Sequence, residues 1–178
     1  MHTVDPNNSR QQFAELLHQH QRIVAKVASV YSYGAQERED LSQEIILQLW
    51  RAWPGFRAES SFATWAFRVA LNTALFQRRK SHKGRVASLE DGSSEPAAPK
   101  AADPAEARED IELLQGCIRA LPELDRALVL MHLEARPQGE IAEFTGLSVG
   151  NVGVRLHRIR HTLRECLSAH GYTEEPST

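Results

Sequence analysis

The side chains able to do chemistry in this 178-residue chain are mostly cations and amides, and they come in groups. Near the C-terminus Asn151, Arg155 and Arg158 recur at three- and four-residue steps, which line one face of a helix. Arginine there can pair bidentately with guanine or neutralise phosphate. A second group closes the first half of the chain with Arg78, Arg79 and Lys80, set against the lone Asn72 one and a half turns earlier. Residue sets for catalysis are not found: there is no P-loop, no GxSxG and no paired-carboxylate cradle. His157 and His161 stand one helical turn apart with Cys166 beyond, a spacing that can bind metal. No third ligand is evident and no acid lies between them in the HExxH manner, so no metal and no cofactor is expected. His18 and His20 point to different faces and read as surface histidines. Cys117 and Cys166 are too few and too far apart for a disulfide scaffold or a CxxC knuckle. Cys117 reads as core and Cys166 as semi-exposed, and their presence alone does not support a redox switch.

These groups must be held by helices. Phe13, Leu16, Leu17, His20, Ile23, Val24 and Val27 mark a helix from about Ser9 to Tyr31. A second runs from about Glu37 to Trp53 with Leu41, Ile45, Leu49 and Trp53 on one stripe, and Pro54-Gly55 stops it. A third follows Ser60-Ser61, plausible N-caps, and places Phe62, Trp65, Val69, Thr73 and Phe76 on one face as far as Ser81. Beyond it Pro96, Pro99 and Pro104, with Gly92, Ser93, Ser94 and several alanines, read as a flexible linker. Helices then cover Asp110 to Ala120, Glu123 to Glu134, Gly139 to Thr145 and Ser148 to about Ala169. The last two, joined by a turn at Gly146, make a helix-turn-helix candidate with Ser148 capping the second helix. No window alternates in the strand manner. The expected class is all-α, in two helical domains, residues 9–85 and 109–170, joined by residues 86–108.

Composition narrows the setting. Hydrophobic residues make up 42% and charged residues 25%, ordinary for a globular protein. No apolar run is long enough to span a bilayer, and Met1 to Arg10 lacks the apolar core of a secretory signal, so a cytoplasmic protein without membrane insertion is expected. The net charge of −2 conceals segregation. Residues 57–85 carry seven cations against Glu59 alone, net +6; residues 86–110 carry two cations against seven acids, net −5; residues 147–167 carry four arginines against Glu165, net +3. Such blocks suit local contacts with polyanions rather than a global field.

A resemblance now becomes specific. Leu121-Pro-Glu-Leu-Asp-Arg-Ala-Leu-Val-Leu followed by the helix-turn-helix resembles region 4 of the extracytoplasmic-function (ECF) sigma factors of bacterial RNA polymerase. Glu39-Asp-Leu-Ser-Gln-Glu-Ile-Ile-Leu-Gln-Leu-Trp, Phe56-Arg-Ala-Glu-Ser-Ser-Phe-Ala-Thr-Trp and Arg68-Val-Ala-Leu-Asn-Thr-Ala resemble their region 2. The motifs stand in family order on either side of the linker and cover nearly everything from Phe13 to Cys166.

The resemblance implies roles for particular residues. Asp40, Gln43, Glu44, Leu47, Gln48 and Arg51 would dock on the clamp helices of the polymerase β′ subunit, mixing acid, amide and apolar groups for a basic partner helix. Phe56, Arg57, Ser60, Ser61 and Phe62 would form the loop that holds a base flipped from the −10 element, with Asn72 reading a base and Arg78, Arg79 and Lys80 on the displaced strand. Unstacking costs a few kcal/mol per step, so such a site needs aromatic or amide groups to recapture the base. The residues alone also allow a blander reading, in which Phe62 and Trp65 are core, Phe56 anchors the loop and the cations finish a helix. Gln138, Ser148, Asn151, Arg155 and Arg158 would face the −35 element.

Three departures stand out. Ala58 occupies a position where the family usually has Gly, which bears on the loop if that glycine needed a positive φ. Gly153-Val154 replaces what is commonly a Lys or Arg followed by Ser, removing a cation. Pro137-Gln138-Gly139 replaces the usual Ser-Tyr-Glu, losing a side-chain cap. An atypical or weak −35 preference follows.

The resemblance thus implies a dissociable polymerase subunit, not an enzyme, which recognises −10 and −35 elements and melts promoter DNA without ATP. Its partners would be core RNA polymerase, promoter DNA and an anti-sigma factor, often tethered at the inner membrane. A stand-alone helix-turn-helix regulator would explain residues 148–164 but leave the Asp40–Trp53 helix without purpose. A sigma-like adaptor without its own promoter specificity is kept open by the region 4 departures.

Overall fold

The structure, a computed structural model, describes residues 6–86, 105–170 and 172, with side chains from residue 9 to 80 and from 110 onward within those limits. All regular structure among them is helical. The chain divides into two compact units, Met1–Pro96 and Ala97–Thr178. Most of the segment read as a linker lies outside the described residues.

In the first unit, α1 (Pro6–Gln19) and α2 (Gln21–Tyr31) stand where one helix was expected. The break falls at His20, whose backbone leaves helical geometry at φ −112° and ψ 17°. Packing explains it. Phe13 must meet an aromatic cluster, its ring 5.2 Å from Trp50 and 5.5 Å from Trp53. Ile23, Val24, Val27 and Val30 turn instead into the core on α2. One straight stripe cannot serve both.

α3 (Ala35–Ala52) starts where the Glu37 carboxylate accepts the backbone N–H of Tyr33 at 2.7 Å, satisfying one donor ahead of the helix. It buries Leu41, Ile45 and Leu49. The 3-10 turn Trp53–Gly55 ends it, as Pro54 dictates. α4 (Phe62–Val86) is capped by Ser61, whose hydroxyl accepts the Thr64 N–H at 3.2 Å. Its buried stripe is not wholly the expected one. Phe62, Ala66, Phe67, Ala70, Leu71 and Ala74 face inward, whereas Phe76 is 66% exposed. Alanine at every fourth position lets α2 and α3 approach closely, which a large ring there would forbid.

In the second unit α5 (Ala105–Ala120) begins five residues before the expected start and inside the segment read as linker. A proline-free run of helix formers follows Pro104, so nothing local prevents the earlier start. α6 (Glu123–Leu133) buries Ala127, Leu128, Val129, Leu130 and Met131, and Arg126 too, which donates from Nε to the Leu121 carbonyl at 2.8 Å. It closes with Ala135 at φ 54°, where the N–H groups of Ala135 and Arg136 reach the carbonyls of His132 and Met131. α7 (Gln138–Thr145) ends at Gly146, φ 73°, a left-handed cap that L side chains resist. α8 (Val149–Ala169) packs Val152, Leu156, Ile159 and Leu163 against α5, α6 and α7. Cys117 of α5 and Cys166 of α8 are joined as a disulfide, contrary to the reading of two separate cysteines. Helix packing brings together residues that spacing in the chain keeps apart.

Candidate nucleic-acid and partner interfaces

The outward face of α3 is assembled from its register. With Leu41, Ile45 and Leu49 inward, Asp40, Gln43, Leu47 and Arg51 are exposed, and Glu44 and Gln48 are half-buried. Amide-to-acid bonds hold the row in place: Gln36 Nε2 to Asp40 Oδ1 at 3.0 Å, and Gln48 Nε2 to Glu44 Oε1 at 2.7 Å. Ile46, Leu47 and Trp50 are each about two-fifths exposed, adding apolar surface to the acids. Ile46 and Trp50 were not singled out from sequence. Their signal was there, since both sit off the buried stripe.

The loop 56–61 keeps the shape that a glycine would have favoured. Ala58 sits at φ 54°, in the left-handed region that glycine enters without cost. The cost for a residue with a Cβ is of order 1 kcal/mol. Arg57, Ser60 and Ser61 are exposed. The two loop aromatics are engaged internally. Phe56 stacks on Trp53 at 5.4 Å and lies 5.0 Å from Trp65. Phe62 is 7% exposed, tilted on Trp65 and edge-on to Phe13, so its ring is core rather than surface. Burial of the apolar ring against Phe13, Trp53, Phe56 and Trp65 outweighs its exposure at a loop.

Asn72 is exposed on α4, at the rim of a hollow also lined by Glu44, Gln48, Val69, Thr73 and Phe76. Thr73 is pinned by its hydroxyl to the Val69 carbonyl at 2.8 Å. Phe76, one turn beyond Asn72, offers the exposed aromatic face that Phe56 and Phe62 do not. A planar ring and a carboxamide beside a hollow can stack on a base and hydrogen-bond its edge. Arg79 and Lys80 are exposed; Arg78 is half-buried, its guanidinium 4.9 Å from the Tyr33 ring centre.

In the second unit, Ser148 caps α8 by accepting the Asn151 N–H at 3.3 Å. Gln138, Ser148, Asn151 and Arg158 are exposed. Arg155 is not free: its Nε donates to Asp125 Oδ1 of α6 at 2.5 Å. This pair ties the recognition helix to α6, and any phosphate must compete for the guanidinium. No sequence signal marked it, because Asp125 and Arg155 are 30 residues apart. Val149 and Val154 expose 50% and 55% of their surface, apolar groups of the kind that meet thymine methyls. A Cβ on Gly153 would meet only Gln138 Oε1, at 3.9 Å, so space does not explain the missing side chain. Gly150 and Gly153 each cost the helix about 1 kcal/mol relative to alanine. His157 and His161 are exposed, and His161 pairs with Glu165 at 3.3 Å. The cysteines gather a different histidine, His170.

Among the described residues both units are helical, one with an acidic-apolar face on α3 and an exposed amide beside a basic helix end, the other a helix-turn-helix of the kind found in DNA-binding proteins. Comparison makes the family explicit. Residues 16–84 match Sigma-70 region 2 and residues 111–163 match Sigma-70 region 4. The chain is 32% identical over 147 residues to the RNA polymerase sigma-H factor of Pseudomonas aeruginosa, covering 77% of this chain and 76% of that one. It is 31% identical over 161 residues to the ECF RNA polymerase sigma-E factor of Escherichia coli, covering 85% and 84%. Against the ECF sigma factor SigE of Mycolicibacterium smegmatis it is 31% identical over 88% of its length, spanning 62% of that longer relative. The fold is shared with the sigma factor RpoE of Bartonella quintana, solved with the anti-sigma factor NepR, at a TM-score of 0.67, 21% identity, and coverage of 89% and 98%. It is shared also with CnrH, solved with the cytosolic domain of CnrY, at a TM-score of 0.61, 23% identity and 90% coverage of each chain. The chain belongs to the ECF sigma factors.

Proposed function

We propose that this chain is the dissociable promoter-specificity subunit of RNA polymerase. α3 docks on the clamp helices of the core enzyme's β′ subunit, α4 and its preceding loop capture the −10 element, and the α7–α8 helix-turn-helix meets the −35 element. The observation that carries this reading is the α3–α4 surface, where exposed Asp40, Gln43 and Leu47 lead through half-buried Glu44 and Gln48 to exposed Asn72 and Phe76. A docking helix next to an amide and an aromatic ring allows one unit to hold the enzyme and an extruded base together. Base capture offsets the few kcal/mol per step that unstacking costs, so no nucleotide hydrolysis is required. The phosphodiester chemistry belongs to the polymerase.

Region 2 holds the surface cations Arg57, Arg79 and Lys80 for the displaced strand, and stacking falls to Phe76. In region 4, Asn151 and Arg158 carry polar readout while Val149 and Val154 favour thymine, an atypical −35 preference. An anti-sigma factor would silence the chain by covering α3, whose mixed acidic and apolar surface suits a second protein as well as it suits the clamp. Among the described residues no helix is long and apolar enough to cross a membrane. A free-standing regulator is not favoured, since it leaves the whole first unit without work.

Run-off transcription with purified core enzyme on genomic fragments tests the proposal. Promoter-specific transcripts that require the chain are expected. Duplex binding by the chain alone, with no transcript in any reaction, would overturn it.

A further inference from the structure

Neither Cys117 nor Cys166 belongs to the surfaces assigned above to polymerase or DNA, yet the two are bonded. The packing of α5 on α8 sets their Cα atoms 5.9 Å apart, within the span a disulfide needs without backbone movement. Cys117 is buried and Cys166 is half-exposed, so Cys166 is the more accessible residue of the pair. One turn beyond Cys166, His170 donates from Nδ1 to the Cys166 carbonyl at 2.7 Å, which leaves Nε2 with its lone pair in the neutral ring. The imidazole and the two sulfurs lie within 4.8 Å of one another. A protein that works on polymerase and DNA works among reducing thiols, where cysteine pairs of this kind are transient or sensing rather than permanent.

We propose that Cys117 and Cys166 form a reversible clamp, closed by hydroperoxide and opened by a dithiol, that steadies the recognition helix. Resting on the sigma-factor reading above, it adds a redox input to region 4. In closure the Cys166 thiolate attacks the O–O bond of the peroxide, giving a sulfenic acid and releasing an alcohol or water. His170, with a ring nitrogen within 4.8 Å of the sulfur, is the neighbouring group that would take the thiol proton. The Cys117 sulfur then displaces hydroxide from Cys166, the S–S bond forms and water leaves; two thiols have lost two electrons to one peroxide. In opening, a dithiol reductant attacks Cys166 Sγ, Cys117 departs as thiolate, and the reductant's second sulfur frees Cys166. α8 is continuous from its DNA-facing end to Cys166, which lies eight residues, about 12 Å of helix, beyond Arg158. Gly150 and Gly153 weaken that DNA-facing end, so its placement leans on packing lower down the same helix.

The test uses the full chain after peroxide or dithiothreitol, followed by desalting. Thiol titration should find two free thiols after reduction and none after peroxide. Calorimetry should show the second unit's transition at least about 15 °C lower in the reduced chain, with the first unit's transition unmoved. The Cys117→Ala/Cys166→Ala double variant should melt at the reduced position under either treatment. With core polymerase, the oxidised chain should give about fivefold more transcript than the reduced one from a promoter with an intact −35 element, and no difference once that element is scrambled. His170→Gln should slow closure severalfold without moving either melting position. Two free thiols persisting after peroxide would overturn the clamp, as would coincident melting of the two forms. So would a reduced chain holding one equivalent of zinc that protects the thiols from peroxide. Failure of the sigma reading would appear separately, as absent transcripts in both states with the melting difference intact.

Discussion

The two units of this protein solve the same problem, presenting polar side chains to DNA from a small helical body, by different means. The first builds on rings: Phe13, Trp53, Phe56, Phe62 and Trp65 interlock, and the stripe of Ala66, Ala70 and Ala74 brings helices close. That core leaves Asn72, Phe76, Arg79 and Lys80 free for the surface. The second unit has no such cluster among its described residues and holds α5 to α8 by a crosslink that closes a separation of 49 residues. In the chain-entropy description a loop of that length is worth about 4 kcal/mol, a large share of the stability of so small a domain. Its DNA face is correspondingly spare, with Arg155 drawn back onto Asp125 and glycine at position 153.

The contrast can be broken or sharpened by substitution. The largest effect should come from Glu44→Arg with Leu47→Arg, which reverses charge and removes apolar contact on α3. Affinity for core polymerase should fall at least about 100-fold, read by fluorescence anisotropy, while −35 duplex binding in region 4 is unaffected. Unchanged affinity would remove α3 from the docking role. Next is Asn72→Ala, expected to reduce discrimination between consensus and mutated −10 elements about tenfold in transcription assays with core binding intact. A uniform loss of activity on all promoters would instead mark Asn72 as structural.

Gly153→Lys restores a cation in a position with room for it. About fivefold tighter −35 binding is expected, together with a salt dependence steeper by about one ion. If the salt slope does not change, the new ammonium misses phosphate and region 4 is limited by something other than charge. The smallest effect is Ala58→Gly, which relieves a positive φ. The first unit should gain about 0.5–1 kcal/mol in urea unfolding, with the second unit's transition unchanged.

Much of the fold was legible in the residues. Proline and glycine at 54 and 55, Ser61 and Ser148 before helices, and Gly146 between α7 and α8 punctuate the chain by local rules that tertiary structure did not override. The stripes Leu41-Ile45-Leu49 and Val152-Leu156-Ile159 likewise determined which faces of α3 and α8 turn inward, because burial of apolar area depends on residue type and period alone. Four features escaped that reading. The break at His20 arises because α1 and α2 must reach different neighbours. Phe62 and Phe76 lie at equivalent steps on the same helix, yet one is core and the other bare, since only the position of the alanine stripe against α2 and α3 decides between them. The Asp125–Arg155 pair and the Cys117–Cys166 bond join residues on separate helices. Sequence by itself determined the helical class, the caps at Ser61, Ser148 and Gly146, and the class of partner. The tertiary structure decided which aromatic ring is exposed, which arginine is engaged and which sulfurs meet, because those outcomes depend on distances set by packing between elements.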